Sequence, residues 1–243
     1  MIKHADLLFE LGTEELPPVA LQTLSAALTR EFVAGLQAAN LAHAEVTTYA
    51  TPRRLALLIK ALATGQADQE VQRRGPAVAA AFDENGQATK AAEGFARSCG
   101  VSVAQLQREK TDKGEWLAYR EHKPGESATN LLPNIAENAL NKLPIPKRMR
   151  WGASEAQFVR PVHWLLFLHG EQVIDCTLLE ACAGRHTQGH RFHHPHPIQI
   201  EQAADYAHVL QTTGKVIADF ATRRRKIKAM QRDRAPSVPE TEE

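Results

Sequence analysis

Leu7-Leu8-Phe9-Glu10-Leu11-Gly12-Thr13-Glu14-Glu15-Leu16-Pro17-Pro18 is the stretch on which the fold of this chain turns. Leu7–Leu11 is a short apolar run stopped by Gly12, the pattern of a buried strand running into a turn. Thr13 to Pro18 then reads as a helix entry, with a capping hydroxyl, acids for the first turn and prolines near the start. Leu21, Leu24, Leu28, Phe32 and Leu36 follow at three- and four-residue steps, which predicts an amphipathic helix from Val19 to Ala39. Val46–Ala50 and Leu55–Leu62 read as strands parted by Thr51-Pro52-Arg53-Arg54, where proline forces a break. The opening is therefore β-α-β-β.

Beyond it, the polar stretch Gln66–Gly75 reads as a linker, and Ala79–Gly86 as a strand ending in an Asn-Gly turn. Helices are expected at Thr89–Cys99, at Ser102–Gln107 and at Glu126–Leu143, the last ended by Pro144 and Pro146. Asp112-Lys113-Gly114 and His169-Gly170-Glu171 each lie between strand-like segments and signal hairpins. Ile198–Ile200 reads as a small strand, Gln202–Leu210 as a helix, and Val216–Met230 as a final helix with a basic outer face. Hairpins outnumber crossovers, so the fold class is α+β, with mixed sheets and flanking helices. The expected division is 1–65 as the β-α-β-β unit, 66–215 as a second α+β region, and 216–243 as a basic helix with a disordered tail, Arg234 to Glu243, that marks a fragment boundary.

Composition narrows the class further. The 243 residues are 43% hydrophobic and 23% charged, the balance of an ordinary globular protein. A net charge of +1 gives no bulk attraction to nucleic acid or membrane, so any such affinity must come from local clustering. Cys99, Cys176 and Cys182 form no CxxC pair, which favours free thiols in a reducing compartment. The apolar run around Trp164–Leu168 is far shorter than the ~20 residues of a membrane span. A cytoplasmic, soluble chain without a membrane partner is expected.

The densest local chemistry is Lys147-Arg148-Met149-Arg150-Trp151-Gly152, joined by Arg160. Cations beside an aromatic ring suit a phosphate backbone with a stacked base. The plainer alternative is a solvated loop in which Trp151 closes a core edge. Arg53 and Arg54 are expected to form salt bridges to acids such as Glu14 and Glu15. His186 and His190, four apart, would share one side of a helix and support zinc, but Gly184, Gly189, Pro195 and Pro197 oppose a helix, so a polar loop without metal is expected. The sequence carries no glycine-rich phosphate loop, no GxSxG elbow and no HExxH, and no catalytic residue is assigned.

Longer strings read whole carry a resemblance. Leu11-Gly12-Thr13-Glu14-Glu15-Leu16-Pro17-Pro18, Thr51-Pro52-Arg53-Arg54-Leu55-Ala56-Leu57, Arg73-Arg74-Gly75-Pro76, Leu143 through Gly152, Phe158-Val159-Arg160-Pro161-Val162-His163 and Gly189-His190-Arg191-Phe192 occur in an order that resembles the N-terminal part of the glycyl-tRNA synthetase beta subunit family. The similarity runs over residues 5 to 230. It implies a B3/B4-type domain in a two-alpha, two-beta class II enzyme. The ATP, magnesium and glycine chemistry would belong to the alpha subunit, with no cofactor bound by this chain. The implied partners are the alpha subunit, the remainder of the beta subunit and tRNA(Gly). Under that reading the local cluster Lys147, Arg148, Arg150, Trp151 and Arg160, picked out by its own chemistry, is the expected tRNA-binding set. A free-standing RNA- or protein-binding module derived from such a subunit is the alternative, and no hydrolytic editing role is assigned.

Overall fold

The computed structural model describes residues 3–83, 86–111, 114–153 and 155–234. The chain forms two compact units, one of Met1–Gln66 with Glu126–Glu243 and one of Ala67–Gly125. The division drawn from sequence at 65 and 215 thus differs from the structural one. Residues 126–215 join the opening β-α-β-β segment because a strand from that later region pairs directly with the first strand.

In the larger unit β1 (His4–Thr13), α1 (Pro18–Ala38), β2 (Val46–Thr51) and β3 (Arg54–Ala63) follow the expected order. The smaller unit contains β4 (Gln69–Ala77), α2 (Val78–Ala81), α3 (Lys90–Ser98), β5 (Gln107–Thr111) and β6 (Gly114–Lys123). The chain then returns to the larger unit with α4 (Ala128–Asn141), β7 (Met149–Arg150), β8 (Gln157–Phe158) and β9 (Val162–His169). β10 (Gln172–Val173), β11 (Thr177–Leu178), β12 (Ala181–Gly184), β13 (His186–Gln188) and β14 (Pro197–Gln199) precede α5 (Tyr206–Thr212) and α6 (Phe220–Arg234).

The main sheet of the larger unit runs β11-β12-β9-β1-β3-β2, with β10 on β9. β1 is central and antiparallel to both β3 and β9, pairing Glu10 with Ala56 on one side and Leu166 on the other. Successive side chains of a strand point to opposite faces, so β1 feeds two cores. Leu7, Phe9 and Leu11 enter the core built with α1 and α4, where the rings of Phe9 and Phe167 meet edge-on at 5.1 Å. Leu8 enters a second core with Leu58, Leu166, Ile198, Tyr206 and Leu210. By the same alternation Glu10 faces that second side. Gly12 has no Cβ for a steric reason: one would fall 1.9 Å from the Trp164 indole.

The smaller unit is a three-stranded antiparallel sheet, β4-β6-β5, with a core of Ala81, Ala92 and Leu117. The guanidinium of Arg74 lies 4.1 Å over the Trp116 ring.

Helices and mixed sheets give the expected α+β class. Several elements differ locally. Gln66–Gly75 is largely strand, because β4 pairs by backbone with β6 while its side chains from Gln69 to Arg74 stay exposed and show no apolar alternation. The expected strand at Ala79–Gly86 is instead the short helix α2, with part of its turn outside the described residues. Ser102–Gln107 shrinks to a single 3-10 turn at Val103–Gln105. The last helix starts at Phe220 rather than Val216, since Asp219 caps it by accepting the Thr222 amide at 2.6 Å. The acids Glu14 and Glu15 do not enter a first helical turn, as α1 begins at Pro18. The tail expected to be disordered falls, beyond Arg234, on residues 235–243, outside the described residues. Among the described residues no helix is long and apolar enough to cross a membrane.

Candidate functional site

Four donors converge on the buried carboxylate of Glu10, which has no exposed surface. Thr187 donates its hydroxyl to Oε1 at 2.6 Å, and the Trp164 indole N–H donates to the same oxygen. Tyr206 donates its phenol to Oε2, where Arg54 Nη1 also lies at 3.4 Å. A group that only accepts, from four donors, is acting as a carboxylate. Arg54, 2% exposed, also donates to the Thr187 hydroxyl at 3.0 Å and to the Gln188 carbonyl. Burial works against its charge, but Glu10 and Tyr206 together outweigh burial and raise the guanidinium pKa. Burial together with Glu10 raises the Tyr206 phenol well above its usual value, so it stays a donor. The cluster ties β1, β3, β9, β13 and α5 together, and Gln188 is the last residue before an exposed loop.

That loop, Gly189-His190-Arg191-Phe192, forms one wall of a cleft. The facing wall is Lys215-Val216-Ile217, and Pro52 and Arg53 complete the floor. The two walls approach through glycines. A Cβ on Gly189 would lie 2.9 Å from the Gly214 carbonyl oxygen, to which His190 N–H donates at 2.7 Å. Lys215 takes a left-handed φ of 58°, and its ammonium caps α5 on the Thr212 carbonyl at 2.7 Å. His190 Nδ1 accepts the amides of Phe192 and His193, each at 3.2 Å, which places the proton of the neutral ring on Nε2. The cleft has a volume of ≈ 340 Å³, with Arg223 at its edge and Phe192, 82% exposed, on its rim. Arg223 is itself anchored to the Ile217 and Ala50 carbonyls at 2.8 Å each.

A second carboxylate stands at the cleft mouth. Glu14 meets Arg191 at 3.2 Å, His163 at 3.1 Å and Arg53 at 4.0 Å. Partial burial works to raise its pKa, and Arg53, His163 and Arg191 together outweigh that and lower it. The sequence expectation of Arg53 pairing with Glu14 holds, whereas Arg54 turns to Glu10 instead.

The residues singled out from sequence lie elsewhere on the same unit, around the β7–β8 pair. Lys147 and Arg160 come together with Met149 at an apolar recess of ≈ 490 Å³ lined by Pro17, Val19 and Ile145. Arg160 donates to the Glu15 carbonyl at 3.1 Å. Arg148 is turned back onto the end of α4, donating to the Asn141 carbonyl at 3.1 Å, and Arg150 pairs with Glu155 at 2.7 Å. Among the described residues no carboxylate pairs with Lys147, Arg148 or Arg160. Trp151 is half-buried against the first core. His186 sits on β13, a strand where a polar loop was expected, opposite Gln199 and off any helix with His190. The cleft was not assembled from sequence, because its floor at Pro52 and Arg53 lies more than 130 residues from its walls; only the adjacency of Arg53 and Arg54 and the string Gly189–Phe192 hinted at it.

Residues 7–239 match the family described as the glycyl-tRNA synthetase beta subunit. The glycine–tRNA ligase beta subunit of Hahella chejuensis is 52% identical over 223 residues, 92% of this chain and 32% of the relative. That of Cronobacter sakazakii is 53% identical over 220 residues, 90% of this chain and 32% of the relative. That of Marinobacter nauticus is 50% identical over 224 residues, with 92% and 32% covered. The chain spans about a third of the length of these curated relatives. A match this long and this close places the chain in the glycyl-tRNA synthetase beta subunit family.

Proposed function

We propose that this chain is a non-catalytic, tRNA-handling part of a cytoplasmic glycyl-tRNA synthetase, supporting ATP-dependent charging of tRNA(Gly) with glycine through tRNA binding and subunit assembly. The observation that carries the reading is the 52% identity over 92% of the chain to a protein named glycine–tRNA ligase beta subunit. In this reading the alpha subunit supplies the class II site for ATP, magnesium and glycine, and the remainder of the beta subunit continues the tRNA surface. Lys147, Arg148 and Arg160 support it locally, since none is neutralised by a carboxylate among the described residues.

The test is Lys147→Ala, Arg148→Ala and Arg150→Ala together, in the enzyme assembled from alpha and a beta subunit carrying this sequence. Each lost phosphate contact lowers the slope of log affinity against log salt by about 0.7–0.9. The triple variant is expected to bind tRNA(Gly) more weakly, with a flatter slope, while glycine-dependent pyrophosphate exchange persists. Unchanged affinity and slope in a well-folded variant would remove this surface from the tRNA path.

A further inference from the structure

The cleft between the Gly189–Phe192 loop and the Lys215–Ile217 segment has a different character from the β7–β8 surface. Pro52, Val216 and Ile217 give it apolar surface, the exposed Phe192 ring stands on its rim, and Arg53, Arg191 and Lys215 add cations to its lining. Glu14 is shared between Arg53 and Arg191, and Glu15 also lines the cleft, so the cations Arg53, Arg191, Lys215 and Arg223 outnumber the two acids beside them. Arg53 Nε is also buried without a hydrogen-bond partner among the described residues. A volume of ≈ 340 Å³ sits at the small end of ligand sites, which run from ~300 to ~1,000 Å³, and excludes a duplex. The rim is rigid where it matters: the Glu10 cluster holds Gln188, and His190 Nδ1 clamps the Phe192 amide. A large ring held 82% exposed on a fixed loop, beside excess cations, is a stacking platform waiting for a planar, negatively charged partner.

We infer that this cleft takes one unpaired RNA nucleotide, its base against Phe192 and the apolar wall and its phosphate on Arg53 and Arg191. The inference rests on the tRNA-handling reading above and specifies what kind of RNA element that chain engages. Arg53, Arg191 and Lys215 supply the phosphate contacts; Phe192 supplies stacking that tolerates any base.

The experiment measures fluorescence anisotropy of a labelled, unstructured RNA hexamer with the purified 243-residue chain, alongside a blunt RNA duplex, AMP and poly-glutamate as competitors. The hexamer is expected to bind, the duplex to compete at least tenfold less well, and AMP to bind at least tenfold more weakly because it lacks neighbouring phosphates. Phe192→Ala should weaken hexamer binding about tenfold, within the range of one lost base stack, and leave thermal stability unchanged because the ring is exposed. Arg191→Gln should flatten the salt slope by about 0.7, the single-strand value for one phosphate. No measurable hexamer binding at millimolar concentration, or full affinity in Phe192→Ala, would overturn the inference. AMP binding as tightly as the hexamer would make the cleft a free-nucleotide site, and equal competition by poly-glutamate would assign it to acidic protein; either overturns the RNA assignment. The two proposals separate cleanly. If the Lys147/Arg148/Arg150 variant loses tRNA affinity while Phe192→Ala changes nothing, the cleft fails and the tRNA reading stands.

Discussion

Two neighbouring arginines, Arg53 and Arg54, meet two carboxylates on the same strand-to-helix segment, and the outcomes are opposite. Arg54 and Glu10 are 3% and 0% exposed, and three further donors complete the carboxylate's shell. Arg53 and Glu14 are 25% and 41% exposed, stand 4.0 Å apart, and share their charge with Arg191 and His163. The first pair bears a desolvation cost that its many shared hydrogen bonds offset, although Arg54 Nε stays buried without a partner among the described residues; the second is screened by water and free to exchange partners. Buried, a Glu–Arg pair becomes part of the frame. Exposed, the same pair becomes a rim that a ligand can enter.

The largest expected effect tests the frame. Glu10→Leu removes the acceptor of Arg54, Trp164, Thr187 and Tyr206 at once and leaves a buried guanidinium uncompensated, which costs about 3–5 kcal/mol. Urea denaturation should show a large drop in midpoint at constant m-value. Arg54→Met should cost less, because Glu10 keeps its other donors, and the gap between the two variants is expected to exceed about 1 kcal/mol. The reverse order would show that the guanidinium, not the carboxylate, organises the cluster.

A smaller effect isolates one arm. Tyr206→Phe keeps the ring packed on Tyr49, 5.5 Å away, and deletes only the phenol that donates to Glu10. Losing a hydrogen bond to a buried charged group costs about 1.5–3 kcal/mol. A loss below about 0.5 kcal/mol, the size of an ordinary surface substitution, would mean the remaining donors satisfy Glu10 without it.

How much of this was legible from residues alone follows from the same contrast. The β-α-β-β opening was readable because Leu7–Leu11 and the Leu21–Leu36 steps carry the period of their elements. β4 was not, since Gln69–Arg74 forms a strand by backbone pairing while its side chains face water. Glu10 offered a signal that went unused: an acid inside an apolar run must find partners. Which partners they would be was not readable, because Thr187 and Tyr206 lie 177 and 196 residues away. The cationic string Lys147–Trp151 was easy to see because its charges are consecutive, yet Arg150 is spent on Glu155 and Trp151 on the core. Arg53, Arg191 and Lys215 become neighbours only through the close approach of Gly189 to Gly214.

The smallest effect tests the rim, and its sign follows from charge. Glu14 has a folded-state pKa below its unfolded value, so ionised Glu14 stabilises the fold above the unfolded carboxylate range, and that contribution is lost as pH falls through the folded value. Glu14 is 41% exposed, so water screens its pairs and an exposed ion pair of this kind is worth about 0–1 kcal/mol. Glu14→Gln should therefore lower the denaturation midpoint slightly at pH 7, and the difference from the parent chain should close as pH drops below about 4.3, the ordinary glutamate value. A difference that persists unchanged at pH 3 would show that packing, not charge, is lost. The same substitution should act in the opposite direction on the ligand. Freed from Glu14, Arg53 and Arg191 present one more net positive charge at the cleft mouth, so RNA hexamer affinity should rise and its salt slope steepen. Stability and affinity moving in opposite senses at this position, while both fall together on Glu10→Leu because the loop loses its anchor at Gln188, is the signature that separates rim from frame.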